Sequence, residues 1–145
     1  GLVVFARTPA AATGLIAQFT AHTVEREYLA VVWGRPAIGV IRTSLVKDRG
    51  DGLRGSSPDG RGGQPAVTHI LAVEPLATPR FADYSRIRCR LETGRTHQVR
   101  IHLGESGVPL CGERVYDRRP EGRPQPDGSG AARPMLHAAR LGFAH

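Results

Sequence analysis

Several residue types and motifs that mark common protein classes are scarce in this sequence or missing from it. Only two of the 145 residues are cysteine, and Cys89 and Cys111 form neither a Cys-x-x-Cys motif nor a disulfide framework. No apolar run approaches the roughly 18 residues of a membrane span, and no secretory signal pattern is visible. The GxxxxGK[ST] phosphate loop and the GxSxG nucleophile elbow are also absent. These absences argue against a disulfide scaffold, a membrane partner, a P-loop enzyme and an α/β-hydrolase.

Lysine is almost absent, yet the chain is strongly basic. Lys47 is the only lysine, so nearly all of the 20 basic residues are arginine, and the formal net charge is +7. Genomic base composition could explain the arginine bias, so the total charge is the better evidence. A polyanion gains affinity from such a charge through counterion release, which makes nucleic acid a candidate partner.

The hydrophobic pattern predicts one domain with two short helices and about six strands. A helix is expected over about 9–21, with Thr8 as its N-cap, Pro9 in its first turn and a buried apolar stripe. The stripe consists of Ala12, Leu15, Ile16 and Phe19. Strands are expected over 1–5, 24–33, 37–46, 65–73, 82–91 and 135–143, the second and third forming a hairpin-like pair. This pattern predicts an α+β fold with a mixed, mainly antiparallel sheet core and flanking short helices.

Two segments rich in glycine and charged or proline residues, about 47–64 and 118–134, are predicted to be mobile loops. The arginines of the first loop either contact a polyanion or remain solvated, and the solvated state is favoured. They are Arg49, Arg54 and Arg61.

Strict alternation marks the strand predicted over 82–91. Ile87, Cys89 and Leu91 are expected to face the core. Arg86, Arg88 and Arg90 then form a row on the opposite face. The row could track phosphates, but the solvated face of an antiparallel sheet is the favoured interpretation.

The segment Leu91–Leu103 concentrates two arginines, two histidines, a glutamine and two threonines around Gly94. Glycine permits the turn, and Thr96 is expected to cap a short helix. Val99 and Leu103 would face the core, while His97 and Arg100 would share a polar face. The expected ligand is an anion or a carboxylate, although a capped surface helix with solvated charges explains the same pattern. His97 and His102 are five residues apart and cannot form the i, i+4 zinc pair, so no metal is expected.

Several segments then combine into a more specific pattern. They are Arg26-Glu27-Tyr28-Leu29-Ala30-Val31-Val32-Trp33-Gly34, Gly94-Arg95-Thr96-His97-Gln98-Val99-Arg100-Ile101-His102-Leu103, the stretch from Gly112 to Tyr116, and Leu136-His137-Ala138. In this order, together with Pro65-Ala66-Val67-Thr68 and the first six residues, they resemble the RluA-type RNA pseudouridine synthases. The resemblance covers essentially all 145 residues.

The resemblance implies a pseudouridine synthase fold and the isomerisation of uridine to pseudouridine in ribosomal or transfer RNA. It also implies an enzyme that needs no cofactor and no metal. We further expect a cytoplasmic protein, with a monomer favoured. In that family an aspartate attacks a nucleotide that is flipped out of its stack. By resemblance, Tyr28 packs on the flipped base and assists proton removal, Arg100 pairs with the aspartate, and Leu136 lines the pocket. The expected RNA contacts are Arg95, Thr96, His97, Gln98 and His137.

One departure from the family concerns the nucleophile. The family's aspartate lies in a His-Arg-Leu-Asp-like segment shortly before the glycine that matches Gly1. None of the six aspartates present substitutes for it convincingly. We therefore expect a truncated catalytic domain over 1–145, without the family's usual N-terminal S4 domain, that is inactive by itself. The alternative is a non-catalytic RNA-binding module or a degenerate paralogue.

Overall fold

The computed structural model describes residues 1–118, 122–123 and 127–145. This part of the chain forms α1 (Pro9–Thr20), β1 (Glu25–Trp33), β2 (Gly39–Val46), β3 (Gly55–Ser56), β4 (Gln64–Pro75), β5 (Tyr84–Leu91), α2 (Gln98–Glu105) and β6 (Leu136–Gly142). The strands build one sheet in the order β3-β2-β4-β5-β1-β6, in which all neighbours are antiparallel. The predicted α+β class is confirmed.

One face of the sheet carries the main core. Ile87, Cys89 and Leu91 of β5 are buried, and Val99 and Leu103 of α2 belong to the same apolar cluster. The intervening arginines of β5 point to the opposite face and are exposed. The predicted alternation of β5 and the inward face of α2 are therefore both confirmed, and α2 packs on the core face of the sheet.

Two of the strand predictions are wrong. Residues 1–5 form no strand: Leu2 N donates to Ala138 O at 2.9 Å, but Val3 and Phe5 remain 69% and 80% exposed. In addition, β2 pairs with β3 and β4 rather than with β1. The reason is that β5 and β6 occupy both edges of β1, which leaves no free edge for a hairpin partner.

The helix prediction holds for the ends of α1 but fails for its packing. Thr8 Oγ1 accepts a hydrogen bond from Ala11 N at 3.1 Å, as an N-cap should. None of the α1 residues is buried, and Ile16 is 66% exposed, so the expected buried stripe is wrong. The helix is attached by its C-terminal half instead, where the Gln18 amide exchanges hydrogen bonds with the Ala144 backbone.

Segment 47–64 contains β3 and one buried charge. Arg49 is only 5% exposed and forms ion pairs with Asp51 at 3.0 Å and Glu105 at 3.2 Å. The expectation that Arg49 is solvated is therefore wrong, because two carboxylates of the same chain neutralise its charge. Of the second predicted loop, 118–134, residues 119–121 and 124–126 lie outside the described residues. No helix among the described residues is long and apolar enough to cross a membrane.

Candidate functional site

The turn at Gly94 is closed from inside by the Gln98 side chain. Gln98 Oε1 accepts hydrogen bonds from Thr93 Oγ1 and Arg95 N, and Nε2 donates to Val67 O and Thr68 Oγ1, all within 2.8–3.0 Å. The residue is 2% exposed. Because the amide has used all four of its hydrogen-bonding positions, the structure does not support a direct RNA contact by Gln98. Its role is to join the turn to β4.

The helix start differs from the predicted one. His97 occupies the N-cap position in the left-handed region, with φ at 59°, and no side chain caps the helix. Thr96 as the N-cap is therefore wrong. The amide of Gln98 already ties the turn at Arg95 N, so the Thr96 side chain is left exposed at the surface. The His97 ring contacts the Tyr116 hydroxyl through Nδ1 at 3.0 Å.

Arg100 is held by a carboxylate that the sequence did not single out. Its Nε and Nη2 reach Glu113 Oε2 and Oε1, both at 2.7 Å. Glu113 Oε1 also accepts from the backbone N–H groups of Arg114 and Val115 at 3.0 Å. Burial by itself would raise the pKa of Glu113, but these hydrogen bonds outweigh it and lower that pKa to about 2. The pair is therefore ionised at neutral pH, and the two hydrogen bonds fix the orientation of the Arg100 guanidinium.

The bidentate pair leaves part of Arg100 available. Within the described residues Nη1 has no hydrogen-bond partner, and the Arg100 side chain is 20% exposed. The Tyr116 ring lies beneath the guanidinium, 5.1 Å from its central carbon, and supports the group from one side. Arg100 can therefore still donate to a second anion in an orientation that Glu113 and Tyr116 determine.

Tyr28 and Leu136 share the core face of the sheet. In the register of β1 and β6, Tyr28 lies opposite Ala138 and Ala30 lies opposite Leu136. Because paired residues point to the same side, both side chains face the α2 side, where they pack against the main core cluster. Burial raises the pKa of Tyr28, and the positive charge of Arg26 opposes that rise. The hydroxyl is therefore neutral at pH 7.

Arg26 is a candidate site residue that the sequence reasoning missed. It is 7% exposed and donates from Nη2 to Glu92 O at 3.0 Å, close to the Gly94 turn. Its Nε is buried and lacks a hydrogen-bond partner within the described part of the chain. Together with Tyr28 and Phe19 it lines a cavity of about 280 Å³. Its position two residues before Tyr28 on a strand could have revealed that the two share a face.

His137 lies on the other face of the sheet. It is exposed and pairs with Leu29, which in turn lies opposite Arg88 in the β5 arginine row. The structure therefore places His137, an expected RNA contact, on the face opposite Tyr28 and Leu136. Arg95 and Thr96, in contrast, come together at a cavity of about 350 Å³ between α2 and segment 47–64.

Comparison with known proteins identifies the family. Residues 1–105 match the family described as RNA pseudouridylate synthase. The chain belongs to this RNA pseudouridylate synthase family. It is 42% identical over 148 residues to the ribosomal large subunit pseudouridine synthase D of Zymomonas mobilis and 41% identical over 150 residues to that of Neisseria meningitidis. Both alignments cover all of this chain, and the predicted resemblance is confirmed.

The solved structure of human RNA pseudouridylate synthase domain containing 1 is similar, with a TM-score of 0.69 and 25% identity. The match covers 93% of this chain and 56% of that one. Against the two bacterial relatives the chain spans 45% and 38% of their length. The described residues thus form part of a pseudouridylate synthase domain, and Tyr28, Arg100 and Leu136 stand within it as predicted site residues.

In this pseudouridylate synthase domain His102 is a buried framework residue. It is 1% exposed, and its ring nitrogens contact Thr43 Oγ1 and Thr68 Oγ1, both at 2.9 Å. Burial lowers its pKa to about 4, so the ring is neutral at pH 7. The described residues contain no group of three side chains that could hold a metal ion.

Proposed function

We propose that the full-length protein is an RNA pseudouridine synthase that isomerises uridine in ribosomal or transfer RNA. The names of the bacterial relatives favour ribosomal RNA. The observation that carries the proposal is the packing of Tyr28 and Leu136 against the same core cluster as α2, the helix that holds Arg100 in its first turn. A flipped uridine would then meet the tyrosine ring and the leucine side chain from one side of the sheet.

The nucleophile in this proposal is an aspartate of the full-length protein that precedes Gly1. Gly1 lies against Ala138, the residue opposite Tyr28, so a segment joined to Gly1 would enter beside the proposed pocket. A carboxylate in such a cleft must remain ionised. Arg100 Nη1 supplies the opposite charge, and Glu113 prevents the guanidinium from turning away.

The proposed reaction conserves every atom of the substrate. The bond from N1 of the base to C1′ of the ribose breaks, and a bond from C5 to C1′ forms. The proton on C5 leaves, with Tyr28 as the group placed to assist its removal, and N1 gains a proton. Because the product is an isomer, the chemistry requires no oxidant and no reductant. We propose a monomer in the cytoplasm that works without cofactor or metal.

Tritium release from RNA labelled at C5 of uridine tests the proposal directly. The full-length protein is expected to release tritium from ribosomal or transfer RNA, and a Tyr28→Phe variant is expected to release it far more slowly. The relevant control is RNA affinity, which the loss of one hydroxyl should leave nearly unchanged. RNA binding without release from either RNA would instead identify a non-catalytic RNA-binding module.

A further inference from the structure

A cationic groove lies between segment 47–64 and the start of α2, and neither Tyr28 nor Leu136 lines it. Three positive side chains from separate parts of the chain line it: Lys47 after β2, Arg54 before β3, and Arg95 at the Gly94 turn. No carboxylate is among the lining residues, and the volume is about 350 Å³. Like charges gathered without a counter-charge repel one another, so a bound anion would relieve that repulsion.

The three cations are free to take a ligand. Within the described residues none of them has an ion-pair partner within 4.0 Å. Arg95 donates from Nε to Pro65 O at 3.0 Å, and this hydrogen bond fixes its side chain. The two terminal nitrogens of its guanidinium, Nη1 and Nη2, have no protein partner in the part of the chain described. Thr96 adds a hydroxyl at the same wall.

The wall formed by segment 47–64 is fixed to α2. Glu105, the last residue of α2, pairs with Arg49 at 3.2 Å and accepts hydrogen bonds from Ser56 N at 3.0 Å and Ser56 Oγ at 2.5 Å. Arg49 and Ser56, which make these contacts, lie on either side of Arg54 in the sequence and hold it in place. The groove therefore exists before any ligand arrives, which reduces the ordering cost of binding.

The floor of the groove is apolar. Leu45 and Ile101 lie beneath the cations, both buried, and belong to the smaller apolar cluster of the domain. A cationic rim above an apolar floor matches a nucleotide, whose phosphate needs charge while its sugar and base offer apolar faces. The groove also lies beside Arg100, because Ile101, the next residue of α2, lines it and the charge of Arg54 acts on both His97 and Tyr116.

We propose that this groove binds the phosphodiester backbone of single-stranded RNA next to the target uridine. Lys47, Arg54 and Arg95 are its phosphate contacts. The inference rests on the proposed function, because it identifies the ligand as the substrate RNA.

The test is an RNA titration of the full-length protein with a short, fluorescein-labelled single-stranded RNA that contains uridine, at several salt concentrations. Lys47→Gln and Arg54→Gln each remove one groove cation. Arg61→Gln is the matched control, because it removes the same charge from the same segment at an exposed position outside the groove. Thermal unfolding of each variant confirms that the fold is unchanged.

Each groove substitution is expected to reduce the magnitude of the log–log salt slope by about 0.7. If variant and unmodified protein bind equally at 1 M salt, this change in slope makes the variant bind about eightfold more weakly at 50 mM salt. Arg61→Gln should change neither quantity. Unchanged affinity in both groove variants, or an equal loss in Arg61→Gln, would overturn the inference.

Tritium release measured in parallel separates this inference from the proposed function. A protein whose RNA affinity depends on Lys47 and Arg54 but which releases no tritium would retain the groove and lose the proposed activity. A protein that releases tritium while both groove variants bind like the unmodified chain would retain the activity and lose the groove.

Discussion

Two buried side chains, Glu113 and Tyr116, orient Arg100, and this makes its contribution testable at the level of a single residue. In the full-length protein, Arg100→Ala is expected to lower tritium release on the order of a hundredfold or more, because the proposed aspartate loses its counter-charge. RNA affinity should remain largely intact, since the guanidinium is bound by Glu113 and is proposed to meet the aspartate rather than phosphate.

This substitution needs a control for stability, because the side chain of Glu113 is fully buried and would lose its ion-pair partner. An unpaired buried carboxylate costs about 3–5 kcal/mol of stability. The double variant Arg100→Ala with Glu113→Ala removes both charges and should recover folding but not turnover. Equal losses of binding and turnover in the double variant would contradict the assigned role of Arg100.

His102 makes the stability of the domain depend on pH. Its pKa is about 4 in the folded protein, against 6.5 for an ordinary histidine, so the unfolded chain binds the proton more readily. Stability from this residue is complete above pH 6.5 and is lost as the pH falls towards 4, by about 3 kcal/mol in total.

The measurement is the free energy of unfolding between pH 6.5 and pH 4.5, a window above the range where Glu113 contributes. Glu113 has a pKa of about 2 against an ordinary 4.5, so its stabilisation is lost only as the pH falls below 4.5. His102→Gln should reduce the slope of the curve between pH 6.5 and 4.5 and leave the part due to His97, whose pKa burial also lowers. A variant with the same slope as the unmodified chain would show that His102 is not the titrating group.

At the level of elements, the two α-helices differ in how tightly they are packed. Each contains a glycine, and the space around that glycine shows the difference. A Cβ on Gly104 of α2 would overlap the backbone carbonyl of Tyr116, whereas a Cβ on Gly14 of α1 would meet nothing within 4 Å. Gly104→Ala should therefore destabilise the protein by about 1–3 kcal/mol through overpacking. Gly14→Ala should stabilise α1 by up to about 1 kcal/mol.

Chemical denaturation of both variants checks this contrast, with the same substitution made in both helices. A destabilised Gly14→Ala would mean that α1 is packed against another part of the full-length protein. A neutral Gly104→Ala would mean that α2 can move away from Tyr116, and the fixed geometry of Arg100 would then be in doubt.

Local patterns predicted the elements well because their causes are local. The alternation of β5, the Thr8 cap of α1 and the inward face of α2 each depend on residues a few positions apart. The pairing of β2 depends on which strand edges remain free, and those edges are decided by β5 and β6 much later in the chain. No pattern within β2 contains that information.

The site follows the same division. Tyr28 and Leu136 stand on one sheet face as alternation allows, yet the partner of Arg100 is thirteen residues away, across a turn. The family resemblance predicted that Gln98 contacts RNA, but its side chain is buried and directed into the protein. A motif identifies which residues matter, while the direction of each side chain depends on the complete fold.

At the scale of the whole molecule, two basic surfaces compete as the RNA-binding face. The outer face of the sheet carries three β5 arginines: Arg86 pairs with Glu74, Arg88 lies 4.0 Å from Glu27, and Arg90 alone has no ion-pair partner among the described residues. Arg140 of β6 pairs with Glu25 of β1 at 2.8 Å. The cations of the groove beside α2 have no such partners among the described residues, so counterion release should come mainly from the groove.

A substitution on the outer face tests this distinction. RNA affinity should fall with salt with a log–log slope of roughly −0.7 per phosphate contact. The double variant Arg88→Gln with Arg90→Gln removes two exposed positive charges from the sheet face opposite α2 and Tyr28. Its salt slope and affinity should equal those of the unmodified protein. A slope that falls by about 1.4 would instead place two phosphate contacts on the outer face, and the arginine row would then track RNA rather than form the solvated side of the sheet.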